Sequence, residues 1–143
     1  MQLDLGLIAD DAIKGEGGKL YIFGEFRVIT TQAVPARHGR FAIVARFIAP
    51  KPEIRIQPQH HLEIEIVNQD GEPTSLPKSP KLPLKFEDYG PANRSLMQAV
   101  VIVKIDGLIL GQYGDHSIHF FVDERPCGNV AFHVDQAKPK PAK

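Results

Sequence analysis

Apolar residues recur at every second position through most of this chain, and no window carries an apolar stripe at helical spacing. A period of two belongs to β-strands, whose successive side chains point to opposite faces. Residues 3–9 set Leu3, Leu5, Leu7 and Ala9 against Asp4, Gly6 and Ile8. Residues 14–18 contain three glycines and form a turn, since glycine takes the positive φ angles a reversal needs. A second strand over 19–29 then completes a hairpin. Further strands are expected over 41–48, 62–66, 96–105, 117–122 and 129–134. Gln69-Asp70-Gly71 and Asp106-Gly107 are turns, and residues 123–128 form the loop of the last hairpin.

Twelve Gly and 12 Pro supply the punctuation. Ala49-Pro50-Lys51-Pro52 ends its strand, because proline cannot donate to a sheet ladder. Residues 73–83 carry four prolines and read as a loop or sheet-edge crossover, with a short edge strand at Leu84 and Phe86. The expected fold is all-β: a two-sheet antiparallel β-sandwich of seven to eight strands, Greek-key connected and immunoglobulin-like or C2-like. An up-and-down barrel is the rival. The sandwich spans residues 1–136 as a single domain, and 137–143 form a disordered Lys/Pro tail.

Composition narrows the function. Seventeen Lys plus Arg balance 17 Asp plus Glu, so there is no basic footprint for nucleic acid. The small basic group Arg37, His38 and Arg40 beside Phe41 is too little to change that. A single cysteine, Cys127, excludes an internal disulfide and a multi-Cys zinc site. No apolar run is long enough to span a bilayer. Asp4, Asp10 and Asp11 interrupt any leader-like start, so a cytoplasmic location is expected.

Chemistry-bearing residues are sparse. A symmetric final hairpin sets His119 across from His133, close enough for two imidazoles to share a divalent metal. No third ligand is identifiable, and the pair also reads as ordinary polar surface. Adjacent His60 and His61 point to opposite faces and cannot jointly hold one ion. Simple up-down alternation gathers Asp10, Asp11, Asp88, Asp123 and Glu124 at one rim, a candidate calcium site. Arg94 and Arg125 fall at the same rim, which favours ion pairing instead. Cys127 lacks an activating base, and no nucleophile elbow or phosphate-cradling glycine loop is present. No catalytic residue and no cofactor is assigned.

The segment Leu3-Asp4-Leu5-Gly6-Leu7-Ile8-Ala9-Asp10, with Gly18-Lys19-Leu20-Tyr21-Ile22-Phe23-Gly24-Glu25-Phe26 and then Val34-Pro35-Ala36-Arg37-His38, resembles the opening of a bacterial family of unknown function. The resemblance implies a small cytoplasmic β protein and carries no catalytic role onto any position.

Several strands are apolar on both faces, whereas a two-layer sandwich buries only one face of each sheet. Either loops cover the second face or another protein does. Phe23, Val44, Val100 and Ile102 are the residues expected at the centre of such an interface, with a C2 homodimer as its geometry. The expected function is thus non-catalytic, through protein–protein contacts, as a homo-oligomer or an accessory subunit of a bacterial assembly. No nucleic acid or membrane is expected as a partner. The alternative is an ion- or small-ligand-binding module that uses the loop rims.

Overall fold

The computed structural model describes residues 1–76, 78–90 and 93–138. In chain order these form β1 (Gln2–Lys14), β2 (Leu20–Phe26), β3 (Val28–Thr31), β4 (Ala36–His38), β5 (Phe41–Pro50), α1 (Lys51–Ile56), β6 (His60–Val67), β7 (Leu82–Leu84), β8 (Glu87–Gly90), β9 (Asn93–Ile105), β10 (Leu108–Leu110), β11 (Gly114–Val122) and β12 (Arg125–Gln136). One five-stranded sheet runs β2-β1-β5-β9-β8 and is antiparallel throughout. The second runs β3-β12-β11-β6-β7, and β4 pairs with β10 in a separate ribbon. The fold is all-β, with the two sheets packed in a sandwich-like arrangement. None of its helices is long and apolar enough to cross a membrane among the described residues.

The main core forms where the inner faces meet. Ile43, Ala45 and Phe47 of β5 lie against Leu62, Ile64 and Ile66 of β6 and Ile118, Phe120 and Val122 of β11. Phe47 and Phe120 are fully buried and meet edge-to-face with ring centroids 5.9 Å apart. Val130, Phe132 and Val134 join the same cluster, as alternate residues of one strand face do.

A second, smaller core lies on the opposite side of the first sheet. Leu7, Ala9, Ala12, Ala42 and Val44 are buried there, with Leu20, Ile22 and Ile102 packed against them. The sheet is rolled so that the β1–β2 hairpin covers the outer face of β5 and β9. Lys14, near the hairpin tip on one edge, reaches Glu87 in β8 on the other, with Nζ 2.9 Å from Oε1. Three alanines, Ala9, Ala12 and Ala42, stand between the layers, and their small side chains let the backbones approach closely. β1 is long enough to do both jobs, pairing with β5 through residues 2–9 and with β2 through residues 8–14.

Four expectations change. The strand expected over 19–29 divides into β2 and β3, which belong to different sheets. Gly24 takes φ +68°, and a Cβ there would collide with the Asp10 carboxylate across the pair. β3 then crosses to the second sheet and pairs parallel to β12, so that sheet is mixed. The proline stretch after β5 ends the strand but opens α1, because Pro52 lies in the first turn, where its missing N–H is not needed. Ile54 of that turn is buried.

The last hairpin is also tighter than a six-residue loop. Asp123 and Glu124 alone make the turn, both at positive φ (50° and 69°), and Val122 pairs with Arg125. The remaining residues of the expected loop join β12 through a bulge opposite His119–Phe121. Pro126 is tolerated in that strand because β3 pairs with β12 only from His133 onward, leaving one side of Pro126 without a ladder partner among the described residues. Of the expected tail, Ala137 and Lys138 follow β12 without regular structure, and residues 139–143 lie outside the described residues.

Candidate functional site

The apolar residues expected at an interface occupy different layers. Val44 is fully buried and Ile102 packs half-buried beside it, beneath the chain's own hairpin. Val44 is therefore an interior residue rather than the centre of an interface, because the rolled sheet covers its own outer face. Val100 is half-buried. Phe23 is different: it remains 52% exposed.

Phe23 does not stand alone. Tyr21 is 47% exposed, and so is Ile13, which pairs directly with Tyr21 across the hairpin. Asp11 lies opposite Phe23. Since Ala12, Leu20 and Ile22 point inward, residues 11, 13, 21 and 23 form the outer face. Exposed Lys19 and Glu25 continue it at either end. β2 is moreover an edge strand of its sheet. The hairpin thus offers an apolar, aromatic face next to an open strand edge, a combination that invites pairing with another chain.

The polar candidates are redistributed by register. His119 faces Asn129, while His133 faces Asp115 and sets Nδ1 2.8 Å from its Oδ1. The cross-strand His119–His133 pair is not made, because the two-residue turn and the bulge place the strands differently from a symmetric loop. Nor do the acidic residues share a rim. Asp11 lies 3.0 Å from Lys104, Asp88 3.1 Å from Lys51, and Glu124 3.2 Å from Lys81. Asp10 and Asp11 sit at the opposite end of β1 from the strand ends around Asp123. Asp11, Asp88 and Glu124 are each ion-paired with a lysine, and Lys104 holds the Asp11 carboxyl below its ordinary range. The Arg94 side chain lies outside the described residues.

Sequence reasoning missed the densest polar cluster. His60 is buried, and its Nδ1 lies 2.5 Å from Asp123 Oδ2. The Asp123 N–H donates to the His61 carbonyl at 3.0 Å, and the His61 N–H returns to Asp123 Oδ1 at 3.1 Å. Burial pushes the Asp123 carboxyl up. Hydrogen bonds from His60 and the His61 backbone, with the attraction of both imidazoles, outweigh burial and leave it below its ordinary value. His60 and Asp123 line a cleft of about 400 Å³ that Glu53, Arg125 and Cys127 also line. Burial pushes the Cys127 thiol up, away from the thiolate a nucleophile needs. The one available signal was the His-His pair beginning β6, and its partner stands 62 residues later at a turn.

His38 supplies a pH prediction. It sits between Phe26 and Phe41, with ring centroids 5.6 and 5.2 Å away. Burial there lowers its pKa from the usual 6.5, against a weaker pull upward from Asp10. The unfolded chain therefore binds the proton more readily. This contribution to stability is complete above pH 6.5 and declines as pH falls through that value toward the lower folded pKa. Melting temperatures measured from pH 7.5 down to about 5.5 should fall less steeply in His38→Phe than in the parent protein. Equal slopes would remove His38 from the account.

A family model described as a family of unknown function (DUF6941) matches residues 4–135. No curated protein matches. Among solved structures, the chain is similar to a Pseudomonas fluorescens alkylpurine DNA glycosylase, AlkC, bound to DNA containing an abasic site analog. The identity is 13% and the TM-score 0.38, with 76% of this chain and 28% of that one covered. This chain therefore spans well under half of that protein's length, and a likeness at this level carries no argument about DNA.

Proposed function

This chain belongs to the family of unknown function DUF6941, and on that premise we propose that it is a non-catalytic contact module that self-associates through the β1–β2 hairpin. The observation that carries the reading is the exposure of Ile13, Tyr21 and Phe23 together on the outer face of an edge hairpin. A second copy fits that edge by its own sequence. In an antiparallel two-fold pairing of β2 centred on Ile22, Tyr21 falls opposite the partner's Phe23, and Lys19 falls opposite the partner's Glu25. Aromatic meets aromatic and opposite charges meet, twice over, which is the self-complementarity an isologous interface requires. Glu25 is ion-paired with the exposed Arg27, 3.6 Å away, a surface pair that costs little to rearrange. The bacterial cytoplasm is the proposed setting, supported by the resemblance of the opening hairpin and by a lone cysteine that leaves no internal disulfide.

The test is native mass spectrometry and sedimentation on untagged protein, comparing the parent with Phe23→Glu. The parent should be a dimer at tens of micromolar. The variant should dissociate at least ~30-fold more readily, the loss of about 2 kcal/mol expected of an aromatic anchor. Its β circular-dichroism spectrum should be unchanged. A monomeric parent, or a Phe23→Glu protein that dimerises equally well, would overturn the reading.

A further inference from the structure

We propose that His61, Glu63 and Glu124 form a binding site for a divalent transition-metal ion of the zinc class, on the outer face of the second sheet. This inference stands apart from the hairpin contact and shares no residue with it. One ring nitrogen of His61 and a carboxylate oxygen from each of Glu63 and Glu124 lie within 4.8 Å of one another. The two β6 residues share a face because they stand two positions apart. Glu124 reaches them from the tight turn between β11 and β12. That turn is fastened to β6 by the reciprocal backbone and carboxylate bonds between Asp123 and His61.

Two observations go beyond a cluster of charges. Asp123 Oδ1 lies 3.3 Å from Nδ1 of His61, so a carboxylate stands behind the imidazole. That neighbour favours the proton on Nδ1 and leaves the lone pair on Nε2, the arrangement in which histidine ligates metals. The Nε2 atom of the half-buried His61 is itself shielded and has no hydrogen-bond partner among the described residues, while Glu63 is largely shielded from solvent. One imidazole with two carboxylates suits zinc-like ions and leaves a coordination position open. It suits calcium poorly, since calcium takes six to eight oxygens. Metal bonds of about 2.1 Å need the donor atoms roughly 3.4 Å apart in a tetrahedral site, a closure of up to about 1.4 Å that two glutamate side chains can make by rotation.

Lysines now neutralise both carboxylates. Lys81 Nζ lies 3.2 Å from Glu124, and Lys78 Nζ lies 3.8 Å from Glu63 and 4.2 Å from the centre of the Phe121 ring. An incoming ion must displace both, and both belong to the proline-rich crossover at the sheet edge rather than to a strand.

Isothermal titration of the full, untagged chain with Zn²⁺ tests the site, with Ca²⁺ as the comparison ion. The parent should take up one Zn²⁺ per chain and bind Ca²⁺ far more weakly. His61→Gln and Glu124→Gln should each weaken Zn²⁺ binding by at least tenfold, while Cys127→Ser leaves it unchanged. Glu124 is exposed at a turn, so its variant folds even where the His61 variant does not. Absence of one-to-one binding would overturn the proposal. So would affinity that survives Glu124→Gln, or that is lost with Cys127→Ser, because the ion would then sit elsewhere.

Discussion

Val44→Asp is expected to unfold the domain, whereas Phe23→Glu on the neighbouring hairpin leaves it folded. Val44 is fully buried in the second core, under Ala12, Leu20 and Ile22. A carboxylate there would sit among apolar side chains, and an uncompensated buried charge costs about 3–5 kcal/mol or more. Total stability for a domain is only about 5–15 kcal/mol, so a loss of this size takes a large share of it and unfolds a domain at the lower end of that range. Urea denaturation followed by circular dichroism measures the difference. A Val44→Asp protein within about 1 kcal/mol of the parent would show that the hairpin lies open over that face and water reaches it.

The second large effect concerns two adjacent phenylalanines. Phe120→Ala removes a fully buried ring that packs edge-to-face on Phe47, leaving a cavity in the main core. The expected loss is about 3–5 kcal/mol. With a urea m-value of about 2 kcal/mol/M, the midpoint falls by roughly 1.5–2.5 M. Phe121→Ala lies on the outer face beneath Lys78 and should cost about 1 kcal/mol, the worth of a cation–π contact plus partial burial. Equal costs for the two would contradict the inward–outward alternation of β11. That alternation places Phe120 against the first sheet and His119 and Phe121 away from it.

These pairs show what could be read from the chain and what could not. The alternation of Ile118, Phe120 and Val122 fixes their common face wherever the strand is placed, since strand geometry is local. The turn at 14–18 and the proline stop after β5 are local in the same sense. The six-residue Asp123–Gly128 segment is different. Its glycine and proline read as a loop, yet the chain reverses at Asp123-Glu124, where non-glycine residues hold positive φ. The buried strands on either side settle that choice, because Val122 and Val130 must both reach the core. The bulge follows, and with it His133 moves to Asp115 and away from His119. The His60–Asp123–His61 cluster was hidden for the same reason: it depends on the register between β6 and β11, which no local pattern encodes.

Sequence by itself determined the all-β class, the inner faces of the strands and most turns, because period and turn chemistry act over a few residues. It also marked β5 and β9 as apolar on both sides, a surplus that something had to cover. What covers β5 was decided only in three dimensions. The alanines of β1 and β5 let the opening hairpin roll over the sheet, burying Val44 and leaving Tyr21 and Phe23 outside. Burial of a second face is a property of how layers pack, and packing joins residues that are far apart in the chain.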